Sequence, residues 1–214
     1  MRIGILGAGN MADALGAQWV RAGHEVWVGG RDEGRAAVLA GRIGAVGHGS
    51  LRAAAEFGDG AVLNALPYAA GIGVVGGLEG ALRGRVVVDC GNPVGAGFAL
   101  LTEGGPSAAE RLAAAAPGAR VVKAFNLCHE SVWRLAPPVF DGRRLAVPVC
   151  GDDEAALGVV RELVRDIGCV PYDAGGLGRA GLVEATAALL IGLWVGAGVD
   201  AQAMVPPVGQ VGHG

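Results

Sequence analysis

Aromatic and charged residues are scarce in this sequence, and their scarcity argues against several classes of partner. Aromatic residues make up 5% of the chain, charged residues make up 17%, and the formal net charge is −3. No run of lysines and arginines interleaved with aromatics occurs. We therefore expect neither a nucleic acid nor a membrane surface as a partner, and we favour a small molecule.

The sequence also lacks the residue spacings of metal centres and disulfide frameworks. Its four cysteines are widely separated and form no C-x-x-C pair, which argues against a zinc ribbon and against disulfides. No Ser/His/Asp arrangement and no His/Cys ligand cluster is recognisable. We therefore expect a reducing, cytoplasmic location and no metal site.

Long hydrophobic runs and linkers are absent as well. Residues 60–78 are interrupted by Asn64 and Pro67, and residues 185–199 are fewer than the ~20 that a membrane span needs. The first predicted strand begins at Arg2, so we expect no signal peptide. Without an internal linker or repeat, the sequence predicts one domain over residues 1–200 and a flexible tail over residues 201–214.

Apolar residues are abundant, at 52% of the chain, and short apolar segments alternate with helical patterns. Strands are predicted at residues 2–6, 25–29, 45–48, 61–66, 85–90 and 120–125, with helices between them. A polar loop (126–143), a strand (145–150), a helix (152–167), a strand (169–172) and a long apolar helix (178–198) are predicted to follow. This pattern predicts an α/β fold, with a doubly wound, Rossmann-type, mostly parallel sheet and extra C-terminal strands and helix.

A glycine-rich turn follows the first predicted strand. Gly7-x-Gly9-x-x-Ala12 fits the dinucleotide fingerprint, because Gly7 permits a tight turn, Gly9 admits a pyrophosphate, and Ala12 allows close packing of helix on strand. The motif alone is weak, but here it links a strand to a helix at the head of a series of βα units. The predicted cofactor-binding residues of this turn are Gly7, Ala8, Gly9, Asn10 and Met11.

The end of the second strand indicates which dinucleotide is preferred. NAD-binding folds place an acidic residue there for the ribose 2′-hydroxyl, whereas this chain has Gly29 and Gly30 followed by Arg31, with Arg35 one helical turn later. A strand end with cationic side chains and no carboxylate suits a 2′-phosphate. Gly30, Arg31 and Arg35 therefore predict that the cofactor is NADPH. The alternative is that Arg31 is an ordinary solvated loop residue.

Three further strand ends supply the remaining site candidates, because ligands of open α/β sheets bind outside the carboxyl ends of the strands. Asn92 and Asn126 are candidates to bond the nicotinamide amide, although asparagine is also a common turn residue. Apolar neighbours are predicted to wall the ring. The residues predicted at these ends are Leu66, Pro67, Asn92, Pro93, Val94, Asn126, Leu127, Cys128 and His129.

At these motifs the chain resembles the coenzyme F420-dependent NADP oxidoreductase family. The matching stretches are residues 3–10, 29–31, 86–94, 121–126, 148–153 and 170–175, with a further match at 182–184. Residues 123–126, Lys-Ala-Phe-Asn, are also similar to the oxidoreductase domain of the six-transmembrane epithelial antigen reductases. The resemblance implies that a bound nicotinamide faces a second ring, F420 or a flavin, across a cleft made by residues 92–94 and 126–128.

The chain departs from the family pattern at two places in the predicted site. Gly30 stands where the family commonly has serine, and Leu127, Cys128 and His129 follow Asn126. His129 is a candidate general acid, which reduction of an imine or activated alkene would use; the alternative is a packed or solvated loop histidine. Asn126 and His129 are thus the candidate catalytic residues, and Val94, Leu127, Cys128 and His129 are the candidate substrate contacts.

Three functions remain open at this point. They are hydride exchange between NADPH and a deazaflavin or flavin, NADPH-dependent reduction of a small C=N or C=C substrate, and dinucleotide binding without catalysis. The chain lacks a basic cluster after residue 198 that would hold a polyanionic deazaflavin, which counts against the first.

The apolar helix over residues 178–198 carries the sequence's main indication of self-association. One of its faces is formed by Leu182, Leu189, Leu190, Leu193 and Trp194. We expect that face to be buried, either on the sheet or in a homodimer interface.

Overall fold

The computed structural model describes residues 1–204, which form one eight-stranded sheet with helices on both faces and a separate two-stranded sheet. The strands are β1 (Arg2–Leu6), β2 (Glu25–Gly29), β3 (Gly47–Gly49), β4 (Ala61–Asn64), β5 (Val86–Asp89), β6 (Arg120–Lys123), β7 (Val139–Phe140), β8 (Arg143–Arg144), β9 (Ala146–Gly151) and β10 (Val170–Gly175). The helices are α1 (Asn10–Arg21), α2 (Glu33–Ile43), α3 (Leu51–Phe57), α4 (Tyr68–Gly76), α5 (Glu79–Leu82), α6 (Ala108–Ala115), α7 (Glu130–Trp133), α8 (Glu154–Asp166) and α9 (Ala180–Ile191).

The sheet has the order β10-β9-β6-β5-β4-β1-β2-β3. Strands β1 to β6 are all parallel, in the order of a dinucleotide-binding sheet. Strand β9 then pairs antiparallel with β6, and β10 pairs parallel with β9. The predicted doubly wound, mostly parallel fold with extra C-terminal strands is confirmed.

Local sequence signals explain where the elements lie. Residues Val86, Val87 and Val88 are all buried, because helices cover both faces of the central strand β5. The Ser50 hydroxyl accepts a hydrogen bond from Ala53 N at 3.1 Å and so caps the start of α3. Asp153 begins α8 in the same way.

Residues 126–143 are not the plain polar loop that the sequence predicts, and that prediction is wrong. They contain helix α7 and the β7–β8 hairpin. The buried ring of Trp133 packs edge-on against Phe125 at 5.5 Å between centroids. The Gln18 side chain donates to the Trp133 and Leu135 carbonyls, each at 2.7 Å. The Trp133 ring and the Gln18 hydrogen bonds therefore hold this polar segment against the core and against α1.

The C-terminal helix has one buried and one exposed face. A continuous helical run, Leu177–Ala197, is 21 residues long and passes, by length and composition alone, for a membrane span. Its Val183 and Glu184 side chains are buried against the protein. Leu182, Leu189 and Trp194 are 59%, 57% and 40% exposed, so this face does not pack on the sheet.

The predicted tail lies largely beyond the described residues. Ala201–Met204 form a short 3-10 turn in which Ala201 is buried. The remainder of the tail, residues 205–214, lies outside the described residues.

Candidate active site

A cleft of about 430 Å³ opens at the carboxyl ends of β1, β4, β5 and β6. It gathers many of the residues that the sequence predicts there, and it adds others. The lining residues are Gly9, Asn10, Met11, Ala65, Leu66, Pro67, Tyr68, Cys90, Gly91, Asn92, Phe125, Asn126, Cys128, His129 and Glu130.

The glycine turn at one end of the cleft has the geometry of a pyrophosphate site. Gly7 has φ +120°, and a Cβ on it would lie 2.8 Å from the Ala65 carbonyl oxygen, so only glycine fits. A Cβ on Gly9 would meet no atom within 4 Å, so the space beside the Gly9 backbone is open. No side chain caps α1 at Gly9. The first-turn amides of α1 are therefore free to bind an anion.

The arginines of the predicted 2′-phosphate site lie beyond the cleft, after β2 and at the start of α2. Arg31 and Arg35 are both exposed. The Asp32 carboxylate between them in the chain accepts a hydrogen bond from Arg35 N at 3.1 Å and so caps α2. A Cβ on Gly30 would lie 3.0 Å from the Asp32 carbonyl oxygen, so the backbone is tight there.

Asn92 and Asn126, two asparagines that the sequence predicts in the site, are hydrogen-bonded to each other at the end of the cleft away from the glycine turn. We call this pair the Asn92–Asn126 bracket. Asn126 Nδ2 donates to Asn92 Oδ1 at 2.8 Å, and Asn92 Nδ2 donates to the Asn126 carbonyl at 2.7 Å. Asn126 Nδ2 also lies 3.3 Å from the Val183 carbonyl of α9. The Asn126 side chain is buried. Both side chains therefore join the loops after β5 and β6 within the cleft wall, while Asn126 Oδ1 itself is buried without a hydrogen-bond partner among the described residues.

A buried charge cluster, which the sequence analysis missed, lies beneath this bracket. Lys123 Nζ lies 2.8 Å from Asp89 Oδ2 and 2.9 Å from Glu184 Oε1, and it also donates to the Gly91 carbonyl. Burial alone would lower the pKa of Lys123, but the carboxylates of Asp89 and Glu184 raise it, so the ammonium stays charged. Asn64 Nδ2 donates to Asp89 Oδ1 at 3.0 Å. Two features of the sequence could have indicated this cluster: a lysine at the end of an apolar strand and a glutamate within an apolar helix.

The segment after β6 brings two polar side chains, those of His129 and Glu130, to the mouth of the cleft. His129 is 71% exposed, and its Nε2 lies 2.8 Å from Glu130 Oε2. Glu130 Oε1 accepts a hydrogen bond from Asn10 Nδ2 at 3.0 Å. His129 Nδ1 lies 3.0 Å from Ser131 Oγ. Glu130 was not among the predicted site residues, although it directly follows His129.

The cysteines of the cleft are not poised for covalent chemistry. Burial raises the pKa of the Cys128 thiol to about 11. Burial, followed by the Asp89 carboxylate, raises that of Cys90 to about 12. Both thiols are protonated near neutral pH and so are poor nucleophiles. Within residues 1–204, no group of three or more His, Cys, Asp or Glu side chains is placed to hold a metal ion.

Several predicted residues lie outside the cleft lining. Ala8 lies within the glycine turn, and Pro93 is buried. Val94 forms a bridge with Leu100. Leu127 packs on the hydrophobic core. Tyr68 was missed by the sequence analysis; it lines the cleft, and its hydroxyl accepts a hydrogen bond from Arg111 at 3.1 Å.

Comparison with known proteins agrees with this geometry. A family model described as NADP oxidoreductase, coenzyme F420-dependent, matches residues 2–93. The chain is 30% identical to the F420-dependent NADP reductase of Methanothermobacter marburgensis, over 90% of this chain and 92% of that protein. It is 33% identical to rat metalloreductase STEAP3, over 90% of this chain but only 38% of that protein.

A solved structure extends the likeness to three dimensions. A protein from Arthrobacter sp. FB24, assigned as an F420-dependent NADP reductase, superposes with a TM-score of 0.83 at 25% identity, over 93% of this chain and 96% of that one. The chain therefore belongs to the coenzyme F420-dependent NADP oxidoreductase family.

Proposed function

We propose that this protein exchanges a hydride between NADP(H) and a deazaflavin such as F420, or a flavin. The observation that carries the proposal is the cleft itself, which joins the uncapped N-terminus of α1 to a wall formed by Leu66 and Pro67. Relatives that cover most of the chain are named F420-dependent NADP reductases, which supports the same acceptor here.

The chain's own residues would hold the cofactor along one path. The free amides after Gly9 suit the pyrophosphate, and Arg31 and Arg35 suit a 2′-phosphate. The nicotinamide end would then reach the wall between Pro67 and the Asn92–Asn126 bracket. Bound there, NADPH supplies a hydride from nicotinamide C4.

The interior of the cleft favours transfer from ring to ring. The Asn92 and Asn126 amides are bonded to each other, and the Cys90 and Cys128 thiols are neutral. The proposed reaction asks mainly that two rings be positioned, because the cofactor carries the chemistry. Such a wall orients rings and excludes water without entering the reaction.

A second candidate function is reduction of a small C=N or C=C substrate. The observation that favours it is the contact of His129 Nε2 with Glu130 Oε2 at the mouth of the cleft. An imidazole in contact with a carboxylate is a suitable proton donor for such a substrate. The third function, cofactor binding without catalysis, would be indicated by NADPH binding with no turnover of any acceptor.

An acceptor assay with His129→Phe separates the two enzymatic functions. NADPH oxidation is followed with F420, with FMN and with a panel of imines. With a deazaflavin acceptor we expect the substitution to change the rate little, because no proton is delivered by the histidine. With an imine we expect a loss of about 10²-fold or more, because the substrate then lacks its proton donor. An absence of turnover with every acceptor would contradict the proposed function.

Arg31→Ala tests the predicted cofactor preference. We expect wild-type protein to bind NADPH more tightly than NADH, and the substitution to weaken NADPH by about 1–3 kcal/mol, the scale of a hydrogen bond to a charged group. NADH binding should hardly change, since NADH lacks the 2′-phosphate. Binding is measured by titration calorimetry, with Arg165→Ala on the exposed side of α8 as a matched control. Equal wild-type affinities for the two cofactors would overturn the assignment.

The proposal includes a homodimer that buries the exposed face of the C-terminal helix. Leu182, Leu189 and Trp194 present an apolar strip to solvent in the single chain, which soluble proteins usually cover. We expect light scattering to give a dimer, and Leu189→Glu to convert it to monomer. The control is Val38→Glu, at an apolar position on α2 that is 70% exposed. A monomeric wild-type protein at micromolar concentration would contradict the dimer.

A further inference from the structure

The carboxylate of Glu130 lies at the mouth of the cleft, in contact with the first residue of the helix whose N-terminus suits the cofactor's phosphates. Glu130 is the first residue of α7, and its side chain is 21% exposed. Its Oε1 lies 3.0 Å from the side-chain nitrogen of Asn10, the first residue of α1. The same side chain lines the cleft together with Gly9 and Met11. A negative charge therefore lies beside the amides that suit a pyrophosphate.

This position does not depend on the charge of Glu130 itself. Helix α7 is held on α1 by an ion pair between Arg134 and Asp13. The Gln18 side chain holds the same segment through the Trp133 and Leu135 carbonyls. With its backbone fixed by these contacts, Glu130 keeps its place at the cleft when its side chain is changed.

The lining of the cleft contains little positive charge to offset this carboxylate. No lysine or arginine is among its lining residues, and the one imidazole, that of His129, is 71% exposed to solvent and has its Nε2 2.8 Å from Glu130 Oε2. In the free protein, the positive end of the α1 dipole stabilises a carboxylate beside it. A bound pyrophosphate would place further negative charge at the same helix end, and charges of like sign a few ångströms apart repel each other.

We propose that Glu130 sets the affinity of this cleft for NADP(H), by competing electrostatically with the pyrophosphate for the N-terminus of α1. The inference rests on the proposed function, because it assumes that the dinucleotide binds along the glycine turn. Glu130 weakens cofactor binding and thereby favours release of the dinucleotide after hydride transfer. Asn10 is the contact through which the carboxylate reaches the cofactor loop.

The test is the dissociation constant of NADPH for Glu130→Gln, measured by titration calorimetry. We expect the variant to bind about three- to tenfold more tightly, since it keeps the size of the side chain and loses its charge. The gain should shrink between about 20 mM and about 300 mM salt, because salt screens exposed charges. Glu130→Ala, which also removes the charge, should bind more tightly as well and guards against misfolding of one variant.

Three controls show whether charge at this place is responsible. Glu130→Asp keeps the charge and should bind NADPH nearly as the wild type does. Glu162→Gln removes one charge from the exposed side of α8, which contributes no residue to the cleft, and should change nothing. Adenosine 2′-monophosphate has a phosphate for Arg31 but none for α1, so all variants should bind it equally.

The outcomes separate this inference from the proposed function. If wild-type protein binds NADPH and both charge-removing variants bind it equally or more weakly, the role of Glu130 is overturned while the proposed function stands. If the charge-removing variants also bind adenosine 2′-monophosphate more tightly, by the same factor, the charge of Glu130 does not act specifically on the pyrophosphate. That result also overturns the proposed role of Glu130. If neither the wild type nor any variant binds NADPH, both proposals fail.

Discussion

The buried ammonium group of Lys123 is the interaction on which the cleft depends. It joins Asp89 of β5 to Glu184 of α9, and it also holds the Gly91 carbonyl of the cleft wall. The Glu184 carboxylate in turn accepts hydrogen bonds from the Ala108 and Ala109 amides at the start of α6. One charge thus connects two central strands, two helices and a loop.

The energetic consequence follows from burial. Removing one partner of a buried ion pair typically costs about 3–5 kcal/mol, because a charge is then left unpaired in a medium of low polarity. With two carboxylates around one lysine, such a cluster tolerates little rearrangement. The position of Gly91 and of the adjoining Asn92–Asn126 bracket is therefore fixed before any ligand arrives. A preset wall is what ring-to-ring hydride transfer requires, because its rate depends on the relative placement of the rings.

Parts of the fold that depend on neighbouring residues were predictable from the sequence. The structure places β1 and β2 over the predicted residues, since Gly7 leaves one way to turn and Gly23 ends the helix between them. The structure places Leu66, Pro67, Asn92 and Asn126, all from predicted strand ends, in the lining of one cleft. The order of parallel strands brings these distant residues to the same edge.

The remaining features depend on contacts between residues far apart in the chain. Helix α7 is held by Gln18, which precedes Trp133 by 115 residues. Lys123 and Glu184 each stand out as a charged residue in an apolar segment, but only the pairing of strands and the docking of α9 bring them together with Asp89. Glu130 belongs to the cleft because α7 lies on α1. No local pattern in the sequence announces such pairings.

Direct hydride transfer across this cleft is tested most directly with NADPH that carries deuterium at both C4 positions of the nicotinamide. The labelled cofactor is mixed with the protein and oxidised F420 in ordinary water, and the reduced deazaflavin is analysed by mass spectrometry. Ring-to-ring transfer predicts one deuterium atom in each molecule of reduced product. Reduced product without deuterium, or no reduction of F420 or FMN while NADPH binds, would contradict the account.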